Sequence, residues 1–300
     1  MNNSENKLKW YIAVLLALAG AFCVAAPNMA LSVLFEEIAP DLNLNLVQVG
    51  VVWGFGSLFS MVSGVVSGAL GDTIGPKRVI LIGILSLSLA GAARGLTHSF
   101  PTMLMAVSAF GFGVPMVTIS AYKLTGMWFP KEQLGFANGI FGTGMSLGFF
   151  TGALISATVL SPWLGGWRKV MFFYGAISAA VFIIWLFSPS NPTRGNTEGE
   201  PKISMRRAYA HTIKLKEVWL IGIALLGVGG CLQGIYGYLP LFLRGQGWEV
   251  ISADGALSLL HGLGVLTTIP LTLASDRFRI RKQMVTVMLV MLIAGTLFLT

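Results

Sequence analysis

A chain of 300 residues with 55% hydrophobic and only 11% charged side chains is unlike an ordinary soluble domain, in which about 25% of residues carry charge. Its net charge of +8 does not read as a nucleic-acid surface, because the cations sit in alternate loops between apolar runs and form no basic face interleaved with aromatics. Cys23 and Cys231 lie inside apolar runs, where small buried side chains are expected, and with His98, His211 and His261 they show no metal-ligand spacing, so no disulfide framework, metal or cofactor is expected.

The apolar runs have the length needed to cross a bilayer, roughly 20 residues each. In chain order the predicted spans are 10–35, 46–70, 78–97, 101–125, 134–160, 169–189, 217–242, 252–274 and 283–300. The first follows Lys7 and Lys9 and contains Val24-Ala25-Ala26, features of a signal peptide. Its apolar stretch from Trp10 to Leu34 is too long for one, however, and reads as an uncleaved helix. With the N-terminus in the cytoplasm, Arg94, Arg168, Lys169 and Arg244 fall in loops on the far side, and the rest of the 20 Lys and Arg residues fall on the cytoplasmic side. Such a bias is what the positive-inside rule demands.

Residues 190–216 differ in kind: Pro192, Gly195, Gly199 and Pro201 stand among mixed charges and read as a linker. The chain beyond this linker repeats the beginning. Leu8-Lys9 corresponds to Leu215-Lys216, Gly50 to Gly255 and Asp72 to Asp276, at nearly equal offsets. The expected organisation is an all-α, polytopic transmembrane bundle. It consists of an N-terminal six-helix unit (1–189), a cytoplasmic linker (190–216) and an incomplete C-terminal bundle of spans seven to nine (217–300).

Between spans two and three lies Gly68-Ala69-Leu70-Gly71-Asp72-Thr73-Ile74-Gly75-Pro76-Lys77-Arg78. It closely resembles the loop signature of the major facilitator superfamily, with Gly68, Leu70, Asp72, Gly75, Lys77 and Arg78 filling the pattern and Pro76 standing where a basic residue is usual. Thr272 through Lys282 keeps Asp276 and the basic run without the glycines. Trp128-Phe129-Pro130-Lys131-Glu132, Ala137-Asn138-Gly139, Gly166-Trp167-Arg168 opening span six and Tyr238-Leu239-Pro240 closing span seven look like the same family. The tryptophan-phenylalanine-proline segment resembles bacterial branches for small anions such as cyanate and nitrate. Nitrate is disfavoured, because span two lacks the arginine of nitrate porters. Gly111 and Gly113 resemble the Gly-x-Gly pair of proton-coupled members, but Val107 occupies their arginine position, so proton coupling is not assumed.

The resemblance implies a secondary transporter in which two bundles rock about a central site. Gly68, Asp72, Gly75, Lys77, Arg78 and Asp276 would form the conformational gate. Asp72 would meet a helix end of the opposite half, and Asp276 would lie near the start of span five, around Lys131 to Leu134. Spans one, four and seven would line the cavity. Polar groups at membrane depth are costly and therefore candidates for substrate contact: Asn28, Thr118, Tyr122, Gln233, Tyr236 and His261. Packing is the competing role for each; Ser32 and Thr118 can bond their own helix backbone, Lys123 can snorkel, and His261 can carry a proton. Sparse charge at mid-depth favours a neutral or weakly charged substrate. Expected partners are that small solute, a coupling proton or ion, and the lipid bilayer of the cell membrane, with the protein acting as a monomer. A membrane sensor that binds a ligand without moving it is the alternative. Gly144-Met145-Ser146-Leu147-Gly148 matches a hydrolase elbow by chance, inside a predicted span and with no supporting His/Asp pair. The odd number of spans raises the expectation that the sequence stops short of the complete fold.

Overall fold

The computed structural model describes residues 3–189 and 212–278, with isolated positions between 283 and 294. Most of the predicted linker and most of the predicted ninth span lie outside the described residues. Within them every regular element is helical, and eight helices are long and apolar enough to cross a membrane. These are span one (Lys7–Val33), two (Leu46–Thr73), three (Pro76–Arg94), four (Phe100–Trp128), five (Lys131–Leu164), six (Trp167–Leu186), seven (Val218–Gly245) and eight (Val250–Thr268). The helix of span eight runs on to Phe278.

Local chemistry explains where these helices start and turn. Span two opens on a capping box: the Gln48 N–H donates to Asn45 Oδ1 at 2.9 Å, and the Asn45 N–H donates to Gln48 Oε1 at 3.0 Å. Span four opens on the equivalent Ser99/Thr102 pair, with Pro101 in its first turn. Gly75 takes φ of 87°, a left-handed conformation that costs glycine little, and Pro76 then starts span three. In span one the backbone widens to a π-helical segment, Gly20–Ala25, just ahead of Pro27. A proline ring collides with the carbonyl four residues back, and a wider turn relieves the collision. Pro240 lies inside the helix of span seven rather than closing it, and that helix continues to Gly245.

Span one packs along span five, span four against spans two and three, and span six against span three. Span eight lies on span five, while span seven touches span eight and the ends of spans one and two. One apolar cluster gathers Phe35, Ile38, Trp53, Met103, Met171 and Leu257. A second gathers Ile12, Leu16, Ile84, Phe110, Phe141 and Trp185. Met61, Val62, Leu89, Met105 and Ile183 point outward, as side chains do where lipid is the solvent.

Candidate functional site

Spans one to five and span seven converge on a cavity of about 190 Å³. Its apolar wall includes Leu31, Val107, Phe110 and Phe149, and its polar wall includes Asn28, Ser57, Ser60, Arg94 and Gln233. Spans two and four meet at its floor, where Gly56 faces Gly111 so closely that a Cβ on Gly111 would collide with the Gly56 carbonyl. The Ser60 hydroxyl donates to the Gly111 carbonyl at 2.7 Å.

Span seven is fastened to spans one and two by a ladder of hydrogen bonds. The Trp53 indole N–H donates to the Gln233 carbonyl at 2.7 Å, and the Gln233 amide reaches Ser57 Oγ at 3.5 Å. Ser32 Oγ donates to the Tyr236 carbonyl at 2.5 Å, and the Tyr238 hydroxyl donates to the Leu46 carbonyl at 3.3 Å. The ladder ends on Arg244, which donates to the Val33 carbonyl at 3.2 Å, to Glu36 at 2.5 Å and to Asp254 of span eight at 2.5 Å. Asp254 is fully buried. Arg244 thus joins the end of span one, span seven and span eight. Among the described residues a Cβ on Gly222, Gly227, Gly229 or Gly230 of span seven would meet nothing within 4 Å.

The candidate binding residues separate into three groups. Asn28 and Gln233 line the cavity. Tyr236 and His261 stack beside it, with the imidazole between Tyr236 at 4.6 Å and Phe149 at 4.8 Å and with Nε2 lacking a partner among the described residues. Thr118 and Tyr122 are not in the cavity wall: Thr118 donates back to the Val114 carbonyl at 3.2 Å, and Tyr122 sets its ring edge-on to Phe141 at 5.3 Å.

In the loop signature, Gly75 makes the turn and Asp72 pairs with Lys123 at 2.7 Å, while Lys123 also donates to the Gly68 carbonyl at 2.6 Å. Asp72 therefore ties span two to span four of the same half, and Lys123 does more than reach for the surface. Lys77 donates to the Ser188 carbonyl and Arg78 is exposed. Asp276 falls in the helix of span eight, and its side chain lies outside the described residues. Cys231, expected to be buried, is exposed on span seven, whereas Cys23 is buried.

Arg94 is the residue the sequence pattern misplaces. Counted among the loop cations, it is 1% exposed and forms part of the cavity wall. Its guanidinium lies 3.7 Å over the Phe110 ring and donates to the Pro27 carbonyl at 3.2 Å, while Nε has no partner among the described residues. Arg244 and Asp254 were missed for the same reason. Opposite charges on facing ends of consecutive spans were the available signal.

The family model described as Major Facilitator Superfamily matches residues 17–300. Among curated proteins, the chain is 25% identical over 70% of its length to a probable nitrate/nitrite antiporter of Thermus thermophilus, covering 48% of that protein. It is 26% identical over 64% of its length to a cis,cis-muconate transport protein of Acinetobacter baylyi, covering 46%. It is 24% identical over 81% of its length to a probable sulfoacetate transporter of Cupriavidus necator, covering 60%. The chain thus spans about half the length of the curated relatives it matches. A solved bacterial homologue of the human lysosomal transporter Spinster, inward-facing and unoccupied, superposes with a TM-score of 0.71 at 19% identity, over 91% of this chain and 64% of that one.

Proposed function

The chain belongs to the major facilitator superfamily, and from that premise we propose that it is the substrate-carrying part of a secondary transporter that moves a small anion or organic acid by alternating access. Its relatives are transporters, a class that performs no catalysis.

The observation that carries this reading is the cavity itself. It sits where spans one to five meet span seven, and in this reading the ladder from Ser32 to Glu36 closes it at the Arg244 end. A polar cavity between two halves of the bundle is where an alternating-access cycle holds its solute. The first bundle (1–189) and the part beyond the linker would rock on span five. With the N-terminus in the cytoplasm, as the positive-inside bias supports, the Arg244 end faces outward. The curated relatives are called transporters of nitrate or nitrite, muconate and sulfoacetate, all of them anionic at neutral pH, which supports an anion as the solute. Asn28 and Gln233 are its polar contacts in this reading. His261 and Tyr236 line its approach, and a proton or ion provides the coupling.

Counterflow with the complete protein in proteoliposomes tests the proposal. Vesicles preloaded with unlabelled solute should accumulate the labelled solute transiently. Saturable binding without exchange would make the protein a ligand sensor instead.

A further inference from the structure

We infer that Arg94 is the anion-recognition residue of the central cavity, and that the solute it selects is an organic monocarboxylate with an apolar body. The inference rests on the cavity being the transport site, as proposed for this chain.

A guanidinium carries five N–H donors and a charge that no accessible pH removes. Arg94 is buried, yet it spends a single hydrogen bond on the Pro27 carbonyl and leaves Nε without an acceptor among the described residues. No carboxylate pairs with it there; the described ion pairs involve Lys123, Arg168 and Arg244. An unpaired buried cation is strongly unfavourable unless something else supplies the counter-charge. The side chain is also positioned, with its guanidinium carbon 3.7 Å from the centre of the Phe110 ring and one N–H on the Pro27 carbonyl. Planar, bidentate carboxylate recognition needs a positioned fork of that kind.

The rest of the wall narrows the class. Among the described residues that line the cavity Arg94 is the only charged one, which matches a single carboxylate. Leu31, Val107 and Phe149 provide an apolar surface for the remainder of the molecule, which an inorganic oxyanion does not need. Asn28 and Gln233 can donate to the carboxylate oxygen that the guanidinium leaves free.

The experiment measures thermal unfolding of the complete, detergent-purified protein. Acetate, pyruvate and benzoate are each set beside the neutral amide of the same shape, with phthalate as a dianion and nitrate as an inorganic anion. At least one monocarboxylate should raise the unfolding temperature, with its amide, phthalate and nitrate ineffective. Arg94→Lys should keep the shift at weaker affinity. Arg94→Met should weaken binding by roughly tenfold or more while eluting as a single species with unchanged helical circular dichroism. Equal shifts by acid and amide, a shift with nitrate or phthalate but no monocarboxylate, an unchanged response in Arg94→Met, or no shift with any of the three acids would each overturn the inference. If neither variant can be purified, the acid–amide comparison on the native protein decides. Counterflow separates this outcome from the broader reading. A carboxylate that binds through Arg94 but does not exchange overturns transport and leaves the recognition residue standing. Exchange that is indifferent to Arg94→Met does the reverse.

Discussion

His261 shows how little a residue's type says about its work at membrane depth. An imidazole in a transmembrane helix invites a proton-carrying role, but this one is stacked between Phe149 and Tyr236 and is only 7% exposed. Ring stacking and a hydrogen-bonding nitrogen are separable by substitution. His261→Phe keeps the aromatic volume and should change stability by less than about 1.5 kcal/mol. His261→Ala empties the space between two rings and should cost about 2–4 kcal/mol. Thermal unfolding of the two variants measures the difference; equal losses would mean that the polarity of the imidazole, and not its ring volume, holds the site together. If the phenylalanine variant also transports with an unaltered pH profile, His261 carries no proton. Asn28 and Gln233 were legible in the sequence because a polar side chain deep in an apolar run has few reasons to be there. Arg94 was not. At the boundary of a span, a cation that anchors topology and one that turns inward have the same local sequence. Only the packing of Pro27 from span one and Phe110 from span four distinguishes them.

At the scale of elements, the spans themselves were readable because the bilayer demands long apolar runs and the loop cations alternate. What the runs could not reveal is which face meets which neighbour. Span five carries two interfaces nearly opposite one another. On one, Gly144 and Gly152 lie so close to span one that a Cβ would sit 2.6 Å from the carbonyls of Ala17 and Ala26, and Gly148 meets Ala21 closer still. On the other, a Cβ on Gly142 would meet Thr268 at 3.3 Å, and Gly264 of span eight faces Ser146 at 3.0 Å. The first face is locked backbone to backbone; the second touches through side chains that can yield. Close small-residue packing gives rigidity, and looser side-chain contact is what allows one bundle to slide on another. Gly148→Ala should therefore lower stability by about 1–3 kcal/mol. Gly264→Ala should cost less in unfolding experiments but slow exchange in counterflow. A reversed order of the two unfolding midpoints would place the rigid interface on the wrong side of span five.

For the molecule as a whole, the proposed closed end depends on Arg244, whose two ion pairs do different work. Asp254 is fully buried, and removing its partner by Arg244→Ala would leave a bare buried carboxylate, a loss of about 3–5 kcal/mol. That substitution reports on folding and says little about closure. Glu36 is the other partner, with its side chain 53% exposed, and it is the one that reaches from the spans one–two connection to span seven. An exposed pair of this kind is worth about 1 kcal/mol or less. Glu36→Gln should therefore spare the fold and raise the population open at this end by up to about fivefold. Asn28 lines the cavity and makes a suitable reporter. With Cys23 and Cys231, the two native cysteines, replaced by serine, Asn28→Cys can be labelled in intact cells by a membrane-impermeant maleimide. Labelling from outside should be slow in the parent and severalfold faster with Glu36→Gln, because the reagent reaches Asn28 only when the Arg244 end opens. Equal rates would mean that the backbone ladder through Trp53, Ser32 and Tyr238 holds the end shut without the ion pair. Rapid labelling of the parent would mean that the Arg244 end is not the barrier facing the medium, and the proposed orientation would have to be inverted.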